Sequence, residues 1–270
     1  MMHEVTSSRR RLWPWVVAFF LGAVSVPPAW YLTTRWQGQR ELAAVATELD
    51  AENPNWRLPD LIATRNDTLS KLPTNSADTV AAASKLLPEG WDRTLNDDHW
   101  HYDGPSNRQP VAEEAVRLRA VLKQTAETRR AAETLWDQPV GGSATVVPGL
   151  NALPANLNSI HERRAVESVL SIAAAVAALD GDPSAAVGHL LAGLNTARSI
   201  GDEPTLIAQL VRIACTQVVA RSAERVLGLC QPDAELAGLQ AAFEREAGER
   251  FFQAGLRGEL ALVETTVAHR

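Results

Sequence analysis

Asn96 to Gly104 reads NDDHWHYDG, which places two histidines and three aspartates within nine residues. Imidazole nitrogens and carboxylate oxygens are the donors that hold zinc and similar divalent ions. In an extended chain Asp97, His99, His101 and Asp103 would share one face; in a helix Asp97 with His101, and His99 with Asp103, would lie one turn apart. Either geometry brings the two donor types together, so these four residues are the metal-ligand candidates of the sequence. The elements that would have to position them are weak. The stretch lies between the breaker clusters PEG (88–90) and DGP (103–105), in the longest irregular region of the chain. A preorganised metal site needs a rigid element and supporting hydrogen bonds around its ligands. The reading that follows is a solvated loop with Trp100 or Tyr102 anchored on the helices, and a metal-dependent enzyme centred on His99 and His101 is the rival.

Other chemistries are thinly represented. There is no GxxxxGK[ST] phosphate loop, and PVGGSATVVPG (139–149) lacks the lysine and the following helix such a loop requires. No GxSxG nucleophile elbow occurs. HERRA (161–165) begins like a zincin helix, but Ala165 stands where the second histidine must sit, so His161 and Glu162 read as polar residues in the first turns of a helix. Arg212, in QLVRIA, is a cation on an otherwise apolar helix. It reads either as a buried ligand-binding or ion-paired group, or as a residue that faces water or pairs with Glu203 or Glu167. A net charge of −6 with both signs dispersed leaves no basic stripe to neutralise phosphates, which argues against nucleic-acid binding. No cofactor is expected.

The N-terminal segment fixes the expected topology. Leu12 to Leu32 is a run of 21 residues without a charge, a length that suits a bilayer core of roughly 30 Å at a helical rise of 1.5 Å per residue. Trp13 and Trp15 flank one end, and Trp30 and Tyr31 the other, as amphipathic rings do at membrane interfaces. Arg9, Arg10 and Arg11 precede the run, so the positive-inside bias predicts a cytoplasmic tail (1–11), a transmembrane helix (12–32) in the inner membrane, and everything from residue 33 on the exported side. The competing reading is a signal peptide cleaved near Ala23-Val24-Ser25.

Beyond the membrane the pattern is helical throughout. A region from 33 to 156 is expected to carry a membrane-proximal helix with Leu42, Val45 and Leu49 on one face, short helices at 58–68 and 76–87, a loop at 88–109, one helix from Pro110 to Asp137, and a loop at 138–156 with a brief strand near Ala144–Val147. The C-terminal domain, 157–270, is the strongest signal. Four apolar helical stretches are separated by compact stops, with DGDP and GDEP each offering an aspartate cap and a proline in the first turn. A change of apolar stripe near Gly248 predicts a break. Val166–Leu179 is too short for a second span and carries Glu167, so it reads as a buried helix. Cys215 and Cys230 are fifteen residues apart on one expected helix, roughly 22 Å, and cannot pair with each other.

Residues 167 to 200 resemble a tetratricopeptide unit, with Leu170, Ala173, Ala174 and Ala177 on one helix, a Gly181-Asp182 turn, and Ala186, Leu190 and Gly193 on the next. The runs NPNWRLPDL (53–61), KLLPEGW (85–91) and 180–214 are similar to a group of membrane-anchored helical proteins of planctomycete bacteria. That resemblance implies a fold and a topology, and no functional residues. The expected fold is thus all-α: one N-terminal transmembrane helix, then an exported domain of stacked antiparallel helices whose C-terminal half is α-solenoid-like. The expected function is a non-catalytic scaffold or protein-interaction module with an envelope protein as partner; binding of a small ligand between helices is a third possibility.

Overall fold

The structure is a computed structural model that describes residues 9–52, 54–91, 109–144 and 153–268, with side chains described for 26, 28–52, 54–91, 109–144 and 161–266. It is all-α, and no strand occurs among the described residues. The brief strand expected near Ala144–Val147 lies almost wholly outside them, as does most of the loop expected at 88–109. The chain divides into two compact units, residues 1–55 and 56–270.

The first unit is a single helix, α1 (Arg9–Glu52), whose backbone runs without a break through Pro27-Pro28 and merges the expected span with the membrane-proximal helix. Trp30, Tyr31 and Trp36 are exposed. Among the described residues no helix is long and apolar enough to cross a membrane. The side chains of residues 12–25, Trp13 and Trp15 included, lie outside the described set.

The second unit is built on one helical hairpin. α6 (Leu153–Leu179) turns through residues 180–182 into α7 (Pro183–Arg198), and the Asp182 carboxylate accepts the Ala185 N–H to start α7, with Pro183 in the first turn as the sequence predicts. α8 (Leu206–Leu229) lies across both. The contact faces are rich in alanine: Ala174, Ala178, Ala186, Ala223 and Ala242 pack with Leu190, Leu194, Val219, Val226 and Leu239. Such small residues let helix axes approach, and the longer aliphatic chains fill the remaining volume at roughly 1.5–3 kcal/mol per buried side chain.

The other face of the hairpin is covered by the N-terminal elements of this unit. α3 (Ser76–Ser84), α4 (Ala112–Gln124), α5 (Ala126–Glu133) and the 3-10 turn Thr134–Asp137 bring Val80, Ala83, Leu118, Val121, Ala132 and Leu135 onto Val166, Leu170, Ile172 and Val176. The single helix expected over 110–137 is therefore two helices and a 3-10 turn. The break falls at Thr125, which is buried and leaves helical geometry (φ −100°, ψ 21°) while its hydroxyl donates to the Val121 carbonyl. α9 (Leu236–Gly248) packs on α7, and α10 (Phe251–Ala268) packs on α8 and on α2 (Leu58–Ser70). The expected break near Gly248 is the α9–α10 junction.

Candidate functional site

The turn from α7 to α8, Ser199–Thr205, is the polar centre of the second unit. Asp202 was the expected cap for α8, by analogy with Asp182. The cap is instead Thr205, whose hydroxyl accepts the Ala208 N–H. Asp202 faces partly outward, 67% exposed, and pairs with Arg65 Nε at 3.0 Å. Gly201 occupies the left-handed region (φ 64°), and a Cβ there would stand 2.5 Å from the Gly141 carbonyl oxygen. No residue with a side chain fits that position.

A turn this deep must find partners for its carbonyls, since an unpaired buried carbonyl costs as much as a lost hydrogen bond. Buried side chains supply them. Arg163 Nη2 donates to the Ser199 carbonyl at 3.2 Å and Arg65 Nη2 to that of Ile200 at 3.3 Å. Arg212 Nη1 and Gln209 Nε2 both donate to Gly201, each at 3.2 Å, and Gln209 Nε2 also reaches Glu203 at 2.8 Å. The same arginines hold the GGS segment: Arg65 Nη1 donates to the Ser143 carbonyl and Arg163 Nη2 to the Ser143 hydroxyl at 2.8 Å. Asn75 closes a two-point amide pair with Gly142, donating to its carbonyl and accepting its N–H, both at 3.0 Å. Residues expected to be simple loop are therefore a structural insert clasped between the α3 N-terminus and the α7–α8 turn.

Charge is matched within this cluster. Arg65 Nη2 meets Glu203 Oε2 at 3.0 Å. Glu246, on α9, receives Arg212 Nε and Nη2 at 2.8 and 2.9 Å and Arg198 Nε at 2.8 Å, so one buried carboxylate joins α7, α8 and α9. Burial alone would push the Glu246 carboxyl up; the hydrogen bonds and charges of Arg212 and then Arg198 reverse that and hold it below the usual carboxylate range. The Arg212 guanidinium also stacks 5.0 Å from the Phe251 ring centroid at the start of α10. Arg212 is thus the buried, ion-paired residue of the two readings, but its partner is Glu246 rather than Glu203 or Glu167. Burial pulls the Arg163 guanidinium down, against the attraction of Glu203 and Glu162.

Glu167 behaves differently. It is fully buried on α6, and the group that reaches it is the Ser171 hydroxyl, donating at 2.5 Å, with the Ser222 hydroxyl of α8 donating to Ser171 at 3.0 Å. Burial raises its pKa to about 8, against the hydrogen bond from Ser171 and the charge of Arg164, so it is mostly protonated at neutral pH. Cys215, buried nearby, has its thiol pushed up to about 12 by burial, which leaves it a small apolar residue at neutral pH. Cys215 and Cys230 are both free thiols.

The metal-ligand candidates Asp97, His99, His101 and Asp103 all lie outside the described residues. Among the described residues no group of three or more His, Cys, Asp or Glu is placed to hold a metal ion. His161 is exposed and Glu162 half-buried, as their position in HERRA suggests; the residue of that run that the fold uses is Arg163, which holds Ser199 and Ser143. Comparison with protein-family models, with curated proteins and with solved structures finds no match to this chain. The residues that organise the domain, Arg65, Arg163, Arg198 and Glu246, carry no local motif. Arg163 and Glu246 sit in charged runs, HERR and EREAGER, so a lone charge on an apolar helical face, the signal that singled out Arg212, does not pick them out.

The surface carries a second feature. On α8, Ile207 and Leu210 are 42% and 50% exposed; on α10, Phe252, Leu256 and Val263 are 46%, 48% and 51% exposed, with Leu260 half-buried among them. At 100° per residue, the α10 residues form one stripe on the side of the helix roughly opposite the face that Gly255, Gly258 and Ala261 bury. Glu259 accepts the Leu206 N–H at 3.0 Å, which places α10 against the start of α8, the turn that carries Ile207 and Leu210. Gly258 explains the closeness of this packing: a Cβ there would overlap the Pro204 carbonyl.

Proposed function

We propose that the chain is a membrane-anchored helical scaffold, held in the inner membrane by residues 12–32, that presents the α8–α10 face to another polypeptide on the exported side without catalysing a reaction. The observation that carries this reading is the set of large apolar side chains exposed on α8 and α10, Ile207, Leu210, Phe252, Leu256 and Val263, of which the three on α10 share one helix face. The interior supports it. Glu246 and Glu203 are held by guanidiniums, and the polar cluster fixes backbone turns in place. The stripe therefore sits on a rigid element, which is what an interaction surface requires.

A photoreactive residue replacing Leu210 in the full chain, in native membranes, tests this. The expected result is a defined cross-linked product that disappears when Leu256→Glu is added. Equal cross-linking from a control at Glu224, elsewhere on α8, or cross-links to lipid alone would contradict it.

A further inference from the structure

The α10 stripe has a symmetry that points to its occupant. In an antiparallel pair of identical helices, positions equidistant from the two-fold axis face each other. With the axis between Glu259 and Leu260, Leu256 of one copy faces Val263 of the other, twice, and the two Leu260 side chains meet near the axis. That axis falls at the angular centre of the stripe, between the 40° position of Glu259 and the 140° position of Leu260 when Gly255 is set to zero. One border of the stripe carries Arg257 and Glu264. In antiparallel helix pairs a border faces its own counterpart, so Arg257 lies opposite position 262 of the second copy, two residues or about 3 Å short of Glu264 there, within reach of an arginine. Arg257 and Glu264 are thus complementary in the arrangement that matches the apolar residues, while the two Glu259 carboxylates, which the same axis brings near each other, are each engaged by the Leu206 N–H of their own α8.

A lipid surface fits less well. Helices that lie on membranes carry lysine and arginine on the polar face, whereas α10 holds Arg257 against Glu259 and Glu264, a net charge of −1. We infer that the occupant of the α8–α10 face is a second copy of this chain, paired antiparallel through α10 about a two-fold axis near residues 259–260. This rests on the reading of that face as an interaction surface.

The test is the mass of the full chain in a mild non-ionic detergent, by size exclusion with light scattering across a range of concentrations. The wild-type chain is expected to dimerise, and Leu256→Glu to weaken the dimer by roughly a hundredfold, since it places a carboxylate in an apolar interface. Arg257→Glu should weaken it and Arg257→Glu with Glu264→Arg should restore it, an outcome that loss of folding cannot produce. In a Cys230→Ser background, Leu260→Cys should form an intermolecular disulfide. A monomer at all concentrations, or a dimer indifferent to Leu256→Glu and to the charge reversals, overturns the inference. If the chain is monomeric yet Leu210 still cross-links in membranes to a product that is not twice its mass, the dimer falls and the interaction surface stands; if both experiments fail, both fall.

Discussion

Two buried glutamates carry opposite charge states for reasons that each residue's neighbours supply. Glu246 has two guanidiniums and stays ionised; Glu167 has a hydroxyl and holds its proton. Glu246→Ala would leave Arg198 and Arg212 buried without their counter-ion, and removing one partner of a buried pair costs about 3–5 kcal/mol. A drop in melting temperature of roughly 10 °C is expected for a domain of this size, measured by circular dichroism; a drop of a degree or two would mean that the arginines find water instead. For Glu167 the sign of the pH effect is fixed by its raised pKa. The protonated carboxyl suits the folded site, so its contribution is complete below the ordinary value of 4.5 and falls away as pH rises, until it is lost above about 8. Glu167→Gln keeps the acceptor for Ser171 and cannot ionise. The difference in melting temperature, variant minus wild type, should therefore grow from pH 4.5 to pH 8 and then level. His189, whose pKa burial lowers, loses stability in the opposite sense as pH falls below 6.5, and it cancels in that difference. A pH-independent difference would contradict the assignment. At this scale the sequence singled out Arg212 as a charge on an apolar helix but not its partner. Glu246 lies 34 residues further along, beyond two helix ends, and no local pattern reports a contact at that distance.

At the scale of elements, much was legible because stops and starts are chemical. Asp182 with Pro183, the break at Gly248 and the continuous helix separating Cys215 from Cys230 all follow from caps, glycine and apolar period. GDEP misled because the same residues that could cap α8 are used tertiarily: Asp202 turns to Arg65, and Thr205 takes the cap. The break at Thr125 was hidden because the apolar period continues across it. Glycines separate two kinds of element position that look alike in sequence. Gly238, in the first turn of α9, has nothing within 4 Å of an added Cβ, so Gly238→Ala should stabilise by about 0.5 kcal/mol. Gly258 faces the Pro204 backbone, so Gly258→Ala should destabilise by about 1–3 kcal/mol as α10 is pushed off the α7–α8 turn. Thermal melts of the two variants, moving in opposite directions, check the placement of α10; two shifts of the same sign would show that it is wrong.

For the whole molecule, the all-α class was readable from periodicity over long segments, where the 3.6-residue pattern is strongest. How the N-terminal helices wrap the α6–α7 hairpin was not, because it depends on which apolar faces meet rather than on any single stretch. Nor was the polar clasp around the α7–α8 turn, assembled from residues as far apart as Arg65, Ser143 and Arg212. The opening stretch NDDHWHYDG stands outside the described residues, and metal analysis of the full chain, purified without chelator or histidine tag, is expected to find no stoichiometric ion if the scaffold reading is right. A stoichiometric ion lost on replacing His99 and His101 would reverse it in favour of the metal-dependent enzyme.

We propose an α8–α10 face that is exported and covered. Cysteines placed one at a time at Leu256 and at Glu224 in a Cys230→Ser background, where the remaining Cys215 is buried, and treated with a membrane-impermeant maleimide in right-side-out vesicles, test both parts at once. Leu256→Cys should be protected while Glu224→Cys is labelled. Equal labelling at the two positions would show an uncovered face, and no labelling at either would place the domain on the other side of the membrane.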